Sequence, residues 1–308
     1  MTTTFPTIAK LLAKLDALTA PAAPELAVEI APGRIAVARR EGAGVRAHVA
    51  GLSAGAVQPS AVKQNLSDPD SIATHLRQAL AAVGGGESAA VLLVPDLTAR
   101  LSVLEFESLP AKREELEPLA RFRLRKSLPF GEEQAVVSCQ MLSPTRLLVA
   151  FGERARLDEY EDCLAAAGAH AATVLPSGLT CLAADPALEH GALLLRAEPG
   201  CLTSAFCWQG RIEFYRALEI STPGGKPTFD DVFPSVAYFR DRIEQAPEAS
   251  GGGWLLYTAG LPEELRVRLR EEAPWATVRP AQLAAAQATG ATAEQLLAVT
   301  GALQGRFL

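Results

Sequence analysis

The residue types that most often perform chemistry are present in this chain of 308 residues, but their spacing does not suit catalysis. Ser177 lies in the sequence PSGLT, which lacks the G-x-S-x-G frame of a hydrolase nucleophile. The glycine runs at 84–86 and 251–253 are not followed by Gly-Lys-Ser/Thr, so they predict ordinary loops. None of the histidines has a cysteine or carboxylate at metal-ligand spacing; they are His48, His75, His170 and His190. We therefore expect no catalytic residue and no metal site.

The composition predicts a globular protein that does not bind nucleic acid. Hydrophobic residues make up 49% and charged residues 21%, as in ordinary globular domains. The net charge of −6 does not provide the basic field of a general nucleic-acid binder. No apolar run approaches the roughly 18 residues of a membrane helix, which favours a cytoplasmic protein without a transmembrane segment. The cysteines are odd in number without a C-x-x-C pair, typical of buried thiols in a reducing compartment; they are Cys139, Cys163, Cys181, Cys201 and Cys207.

Residues 1–24 are predicted to be an amphipathic helix followed by a linker. Apolar residues recur at helical spacing from Phe5 to Leu18, opposite Lys10 and Lys14. No cationic region precedes these apolar residues, so the segment does not resemble a secretory signal. Docking on its own domain, on a partner and on a membrane surface all remain open.

The body begins with strand patterns. Alternating apolar residues flank the turn at 31–34 and predict a hairpin. A helix is expected to start at 68–71 and run to Val83, and a strand buried on both faces at 91–94. A compact insert from 97 to 170 follows, before the chain returns to the parent sheet at 173–175. Its predicted elements are an extended segment at 100–107, a helix at 112–128, strands at 135–141 and 146–152, and a helix at 154–167.

A second unit is expected from residue 191, giving an α/β chain with two lobes. Two halves that each begin with a hairpin-rich sheet indicate an old duplication. The predicted boundaries are 25–96 plus 171–190 for the first subdomain, 97–170 for the insert and 191–308 for the second lobe. The strands of that lobe are predicted at 192–197, 202–208, 211–217 and 254–258, and its helices at 229–244, 263–272 and 293–303.

A basic cluster on the insert helix has two interpretations. Arg121 and Arg125 share one stripe of the helix, where Glu114 and Glu117 can pair with them. The cluster is either a solvated, salt-bridged face or a surface that recognises a peptide or an anionic lipid. Pro118 either kinks this helix or lies in its first turn.

Five segments, in order, resemble the pilus-assembly PilM family, whose fold is that of the actin-like ATPases and the division protein FtsA. The resemblance covers most of residues 25–305 and extends to the cytoplasmic part of the type II secretion protein GspL. It implies an actin-like (ribonuclease H-like) fold with an FtsA-type insert. The segments are LAVEIAPGRIAVAR, LPAKREELEPLARFRLRKSLPF, LLLRAEPGCLTSAFCWQGRIEFYRAL, FDDVFPSVAYFRDRI and LLAVTGALQG.

Actin-like ATPases hold phosphates on two glycine-rich hairpins, and acidic residues there organise magnesium. On the first hairpin of this chain the acidic position is Glu29, but Ala31 replaces the glycine. Pro32 follows and has no N–H to donate, and Ala36 stands at the family's lysine. The resemblance therefore implies a damaged first phosphate site.

The second hairpin and the adenine end depart further from the family. Arg196 replaces the acidic residue, and Glu198 places a carboxylate where a phosphate would lie. Ala259 begins the segment that corresponds to the paired glycines at the adenine end. Only twelve residues separate Arg216 from Phe229, where the family has a helical subdomain. We therefore expect a reduced second lobe without most of this 2B-type subdomain, no ATP or magnesium cofactor and no hydrolysis.

The resemblance also implies a partner. PilM binds the N-terminal cytoplasmic peptide of the membrane protein PilN in a groove formed by the insert and the first subdomain. The expected function is a non-catalytic scaffold of a type IV pilus machine, peripheral at the inner membrane and in contact with other platform proteins. The alternatives are an ATP-binding switch of the same machine and a GspL-like secretion subunit. The groove is predicted near Leu101, Val103, Phe122, Arg125, Pro129 and Phe130.

Overall fold

The structure, a computed structural model, describes residues 25–42, 44–86, 88–189, 191–208, 210–245, 254–283, 286–287 and 290–305. The predicted helix at 5–18, His190 and the glycines at 251–253 lie outside these residues. The strands are β1 Leu26–Ala31, β2 Arg34–Glu41, β3 Gly44–Gly51, β4 Ala89–Val94, β5 Ala99–Glu105, β6 Ala135–Ser143, β7 Arg146–Glu153, β8 His170–Pro176, β9 Ala192–Glu198, β10 Cys201–Trp208, β11 Arg211–Glu219, β12 Trp254–Ala259, β13 Ala276–Pro280 and β14 Ala286–Gln287. The α-helices are α1 Pro69–Ala82, α2 Leu116–Leu124, α3 Arg154–Ala166, α4 Ser177–Cys181, α5 Phe229–Glu244, α6 Glu263–Glu272 and α7 Ala293–Ala302.

The first lobe is built on a six-stranded sheet in the order β14-β3-β2-β1-β4-β8. The predicted hairpin is confirmed as the antiparallel pair β1–β2, and β4 joins β1 in parallel. Strand β4 is buried on both faces, since Val91 and Leu93 pack toward the second lobe while Leu92 packs beneath α1. Helix α1 begins as predicted, because the Asp68 side chain accepts the Ser71 N–H as an N-cap.

The second lobe is a five-stranded sheet in the order β11-β10-β9-β12-β13. Strands β9, β10 and β11 form an antiparallel meander, and β12 runs parallel to β9. Helices α5 and α6 cover one face through Phe239 and Leu269, which pack with Leu195. The opposite face contributes Leu194 and Ala205 to the apolar cluster that joins the two lobes.

The insert between β4 and β8 is a three-stranded sheet in the order β5-β7-β6. Helix α2 covers one face, and a 3-10 turn at Arg113–Glu115 precedes it. The helix is shorter than the predicted 112–128. Pro118 lies in its first turn and causes no kink inside it, because its missing N–H would have no partner there.

Two helices, α3 and α7, bear on the predicted subdomain boundaries, which remain a proposal. Helix α3 packs with α1 in the core of the first lobe through Tyr160 and Leu164. Helix α7 packs against α4 between the lobes, and its Gly301 is required there. A Cβ at this position would lie 1.9 Å from the Thr180 carbonyl oxygen. Strand β14 returns to pair with β3, so the chain after 283 contacts both lobes.

Candidate functional site

Two similar hairpin turns face each other between the lobes. The β1–β2 turn contains Pro32 followed by Gly33 with φ of +79°, and the β9–β10 turn contains Pro199 followed by Gly200 with φ of +81°. A proline followed by a positive-φ glycine suits the two central positions of a tight turn. Each turn therefore has one residue without an N–H, which removes a donor from the place where a phosphate would be held.

Four charged side chains from the two hairpins form a closed ring of ion pairs. Arg34 donates from Nη1 to Glu198 Oε2 and from Nη2 to Glu198 Oε1, both at 2.7 Å. It also donates from Nη2 to Glu29 Oε2 at 3.1 Å. Arg196 closes the ring, with its Nη2 at 2.7 Å from Glu29 Oε1 and 2.8 Å from Glu198 Oε1. We call these four residues the interlobe ring.

A buried carboxylate at the end of β4 extends the ring toward the lobe interface. Asp96 accepts hydrogen bonds from the Gly178 N–H at 3.2 Å, from the Thr203 hydroxyl at 3.0 Å and from the Tyr215 hydroxyl. Its Oδ2 lies 3.6 Å from Arg196 Nη1. The first lobe thus supplies Glu29, Arg34 and Asp96, and residues of the second lobe bind each of them directly or through the ring.

Because these side chains are buried or nearly buried, the charged form of each is stabilised mainly by the opposite charges beside it. The side chains of Glu29 and Arg196 are 0% and 2% exposed. Burial opposes the charged form of Arg196, but Glu198 and the other acidic groups outweigh it and raise its pKa. Burial also opposes the charged form of Glu198, but Arg196 and Arg34 outweigh it and lower its pKa. For Asp96 burial prevails over Arg196, so its pKa is raised.

A backbone donor of the second hairpin is also occupied. The Gly200 N–H donates to the Gly225 carbonyl oxygen at 3.0 Å, and a Cβ at Gly225 would lie 2.4 Å from the Gly200 nitrogen. At the family's lysine and glycine positions, Ala36 is buried opposite Glu29 on β2, and Ala259 is buried opposite Arg196 on β12. An incoming phosphate would therefore meet Glu198 and a closed backbone turn.

The chain resembles solved structures, but it matches no protein-family profile and no curated protein. A PilM–PilN type IV pilus biogenesis complex superposes with a TM-score of 0.67 at 13% identity, covering 92% of this chain and 98% of the other. The cytoplasmic domain of EpsL, an inner-membrane component of the Vibrio cholerae type II secretion system, gives 0.51 at 16% identity, covering 91% and 94%. The chain has an actin-like fold.

Within this actin-like fold the second lobe is reduced as predicted. Strand β11 ends at Glu219 and α5 begins at Phe229, and the described residues between them contain only a 3-10 turn at Pro223–Gly225. A cavity of about 500 Å³ remains on this side of the interlobe ring. Its lining includes Glu198, Lys226 and Gly260. The cavity reaches the interlobe ring at Glu198 and the β9–β10 turn at Pro199.

The structure does not bring all six predicted peptide-binding residues into one groove. Leu101 and Val103 on β5 pack in the interlobe cluster together with Tyr215 of β11. The helix side of the insert carries the other four: Phe122 is 74% exposed, Arg125 and Pro129 are exposed, and Phe130 packs against the α2 cluster. The insert sheet separates the two sets, because neighbouring residues along a strand point to opposite faces.

A groove lies where the insert meets the parent sheet. It has a volume of about 280 Å³ and runs beside β8, the edge strand of the first sheet. The residues that line it include Val136 and Ser138 of β6, and Ala172 and Thr173 of β8. We call this the β8 groove.

Sequence reasoning missed several of the residues that matter in both sites. Arg34 and Asp96 complete the interlobe network, and Ala172 and Thr173 line the β8 groove. One signal was available for Asp96, which directly follows a buried parallel strand at its carboxyl end, where ligand and polar groups gather in α/β sheets. Arg34 offered no such signal, since a charged residue after a Pro-Gly turn is usually solvated.

Proposed function

We propose that this chain is a non-catalytic scaffold of a type IV pilus or related secretion machine. It acts on the cytoplasmic face of the inner membrane, in contact with other platform proteins. In the described residues no helix is long and apolar enough to cross a membrane. The proposed association with the membrane runs through partner proteins. The fold shared with PilM and with the EpsL cytoplasmic domain supports a role in such a machine.

The interlobe ring is the observation that carries the non-catalytic part of the proposal. Two arginines and two glutamates satisfy each other where an actin-like ATPase would hold a triphosphate. A phosphate would have to displace Glu198 from both arginines before it could bind them. Such a displacement removes charge-assisted hydrogen bonds from a buried site, which costs several kcal/mol.

Titration with Mg-ATP tests this directly. We expect no saturable heat with the intact chain at ATP concentrations up to the millimolar range (about 1 mM, a Kd that corresponds to about −4 kcal/mol). Micromolar binding that is abolished by Glu29→Ala would overturn the scaffold proposal. The same titration with Lys226→Ala examines the alternative of an ATP-binding switch, which the open cavity beside Lys226 favours. Binding that depends on Lys226 would establish that alternative.

We further propose that the β8 groove receives an extended N-terminal peptide of a PilN-like membrane protein. The outer edge of β8 has no partner strand among the described residues, and its backbone can pair with an extended segment. Apolar lining from Val136 and Ala171 suits a peptide with small or branched apolar side chains. The PilM structure with the same fold was solved as a complex with PilN.

Capture experiments in the native host separate a pilus from a secretion role. The intact chain and a version without the first twenty residues would each be used as bait. Recovery of a PilN-like protein by both supports the groove, and recovery of secretion components instead favours the GspL-like alternative. A partner lost only with the shortened bait would assign that contact to residues 1–24.

A further inference from the structure

The outer edge of β6 is unprotected. β6 forms one edge of the insert sheet, and no described strand pairs with its outer side. Its sequence, AVVSCQMLS, contains no charged residue and no proline. Native proteins usually protect such an edge with lysine, proline or a covering element, because a bare edge pairs with other chains.

Three other edges of the molecule show that protection, whereas β8, beside the groove, carries no charged residue. Edge strand β11 carries Arg211, Glu213 and Glu219, and β13 carries Arg279 and ends at Pro280. The opposite edge of the insert sheet, β5, lies against the second lobe, where Arg146 binds Glu213 across the contact. β6 therefore differs from these edges in both composition and exposure.

A hollow of about 500 Å³ lies along the bare edge. It is bounded by Ala111, Arg113 and Leu116 on the helix side and by residues 138–141 of β6. Met141 is 43% exposed beside it, although Met is a residue that proteins usually bury. The hollow provides space for the side chains of an added strand on the α2 side of the sheet.

The strand is complementary to itself about Cys139. In an antiparallel pair of two copies, Ser138 lies opposite Gln140, and Val137 opposite Met141, so polar faces polar and apolar faces apolar. A pairing centred on Ser138 would instead place Val136 opposite Gln140. A centre at Gln140 would place Ser138 opposite Leu142, where the β6–β7 register shifts. Only the centre at Cys139 matches every pair before that bulge.

We propose that two copies of this chain associate through antiparallel pairing of their β6 strands, with Cys139 on the two-fold axis. The pairing joins the insert sheets into one six-stranded sheet and places Met141 of each copy over the hollow of the other. An isologous contact of this kind closes after two subunits. The dimer surface shares Ser138 with the lining of the β8 groove, but the pairing uses the outer edge of β6 and does not rest on the proposed function.

The cysteines provide an internal test. Residues opposite each other in an antiparallel pair have Cα atoms about 4.5–5.5 Å apart, within the range of a disulfide. Burial and Glu117 raise the pKa of the Cys139 thiol, so oxidation with diamide is carried out at mildly alkaline pH. We expect a dimer on a non-reducing gel that Cys139→Ser abolishes. The other four cysteines are buried and serve as the background.

The non-covalent contact is measured by sedimentation or light scattering under reducing conditions. We expect Met141→Lys to weaken dimerisation at least tenfold, because two buried ammonium groups would lie in the contact. Val267→Lys on α6 is the matched control, since Val267 is 42% exposed and lies far along the chain. Equal melting temperatures of the two variants exclude misfolding as the cause.

Two results would overturn the proposal. One is a monomer at about 100 µM that diamide does not cross-link through Cys139. The other is a dimer that Met141→Lys and Val267→Lys weaken equally, which would place the contact elsewhere. A chain that stays monomeric and pairs its β6 with a strand of a different protein would also overturn the proposal.

Discussion

The interlobe cleft and the insert side of the molecule differ in whether their polar groups are paired. In the cleft, Glu29 and Arg196 are buried, Arg34 and Glu198 are 12% and 15% exposed, and the four charges pair with one another. On the insert side, the edges of β6 and β8 leave backbone groups unpaired and carry no charged side chains. Paired side chains occupy the first region, whereas the second offers backbone partners to an extended chain.

This difference separates two kinds of surface within one actin-like fold. A nucleotide normally bridges the two lobes and supplies the contacts between them. In this chain the interlobe ring links side chains of the two lobes directly. The edges of β6 and β8 are the surfaces on which the proposed protein partners would pair.

Loss of Arg196 is expected to have the largest effect. Arg196→Ala removes the cation beside the buried Asp96 and leaves Glu29 paired through Arg34, and removing one partner of a buried ion network costs about 3–5 kcal/mol. The measurement is urea denaturation followed by circular dichroism. Arg240→Ala is the matched control, because Arg240 pairs with Glu244 on an exposed helix face, where about 0–1 kcal/mol is expected. Similar losses for both variants would contradict a structural role for the ring.

The pH dependence of the free energy of unfolding tests the structural role of the interlobe ring in a second way. The folded pKa of Glu198 lies below its ordinary value of 4.5, so its contribution is present above pH 4.5 and is lost as the pH falls through the folded pKa. Asp96 has the opposite sign: its raised pKa gives a contribution that is lost as the pH rises. The two groups partly cancel in the intact protein, and single variants are needed to separate them.

Glu198→Gln isolates the first of these groups. The amide keeps an acceptor but loses the charge, so we expect a loss of about 2 kcal/mol at neutral pH. The difference in the free energy of unfolding from the unmodified protein should shrink as the pH falls below 4.5. Urea denaturation at a series of pH values measures it. A difference that is constant with pH would mean that Glu198 acts through packing and not through charge.

Most strands and helices of the two lobes were predicted from the sequence, because hydrophobic periodicity determines where they form. The hairpin β1–β2, strand β4 and helices α5 and α6 appear where the apolar pattern placed them. Strand β3, with His48 and Arg46 among its residues, was missed because both of its faces are only half-buried and its alternation is weak. Strands β13 and β14 are short and were missed for a similar reason.

The candidate sites were predicted less completely, for a different physical reason. Glu29, Arg196 and Glu198 were identified at the degraded phosphate positions, but their mutual pairing depends on how the lobes face each other. The predicted peptide groove was assigned residues from both faces of the insert sheet, and its location stays a prediction. Leu101 lies on β5, and Phe122 lies on α2, the next α-helix along the chain. Leu101 faces the apolar cluster between the lobes, whereas α2 covers the other face of the insert sheet, so the two residues lie on opposite sides.

The β8 groove and the helix side of the insert are distinguished by a pair of variants. Ala172→Trp fills the groove beside the exposed edge, and we expect it to weaken a labelled PilN-like N-terminal peptide at least tenfold, about 1.4 kcal/mol. The double variant Phe122→Ala with Arg125→Glu changes the opposite side and should leave the affinity unchanged. Fluorescence anisotropy measures both. The reverse outcome would move the peptide site to α2 and remove the β8 groove from the proposal.

The contact between the insert and the second lobe provides the smallest expected effect. Arg146 binds the Glu213 side chain, and its Nη2 donates to the Glu213 carbonyl oxygen at 2.7 Å, but both side chains retain some exposure to water. Arg146→Met keeps the packing of the stem and removes the charge, so we expect a loss of about 1 kcal/mol. The loss should also decrease at high salt, because water and ions reach this pair, whereas the loss in Arg196→Ala should change little. A salt response of equal size in the two variants would mean that the ring is as accessible as the contact, and the cleft would then be open enough to admit an anion.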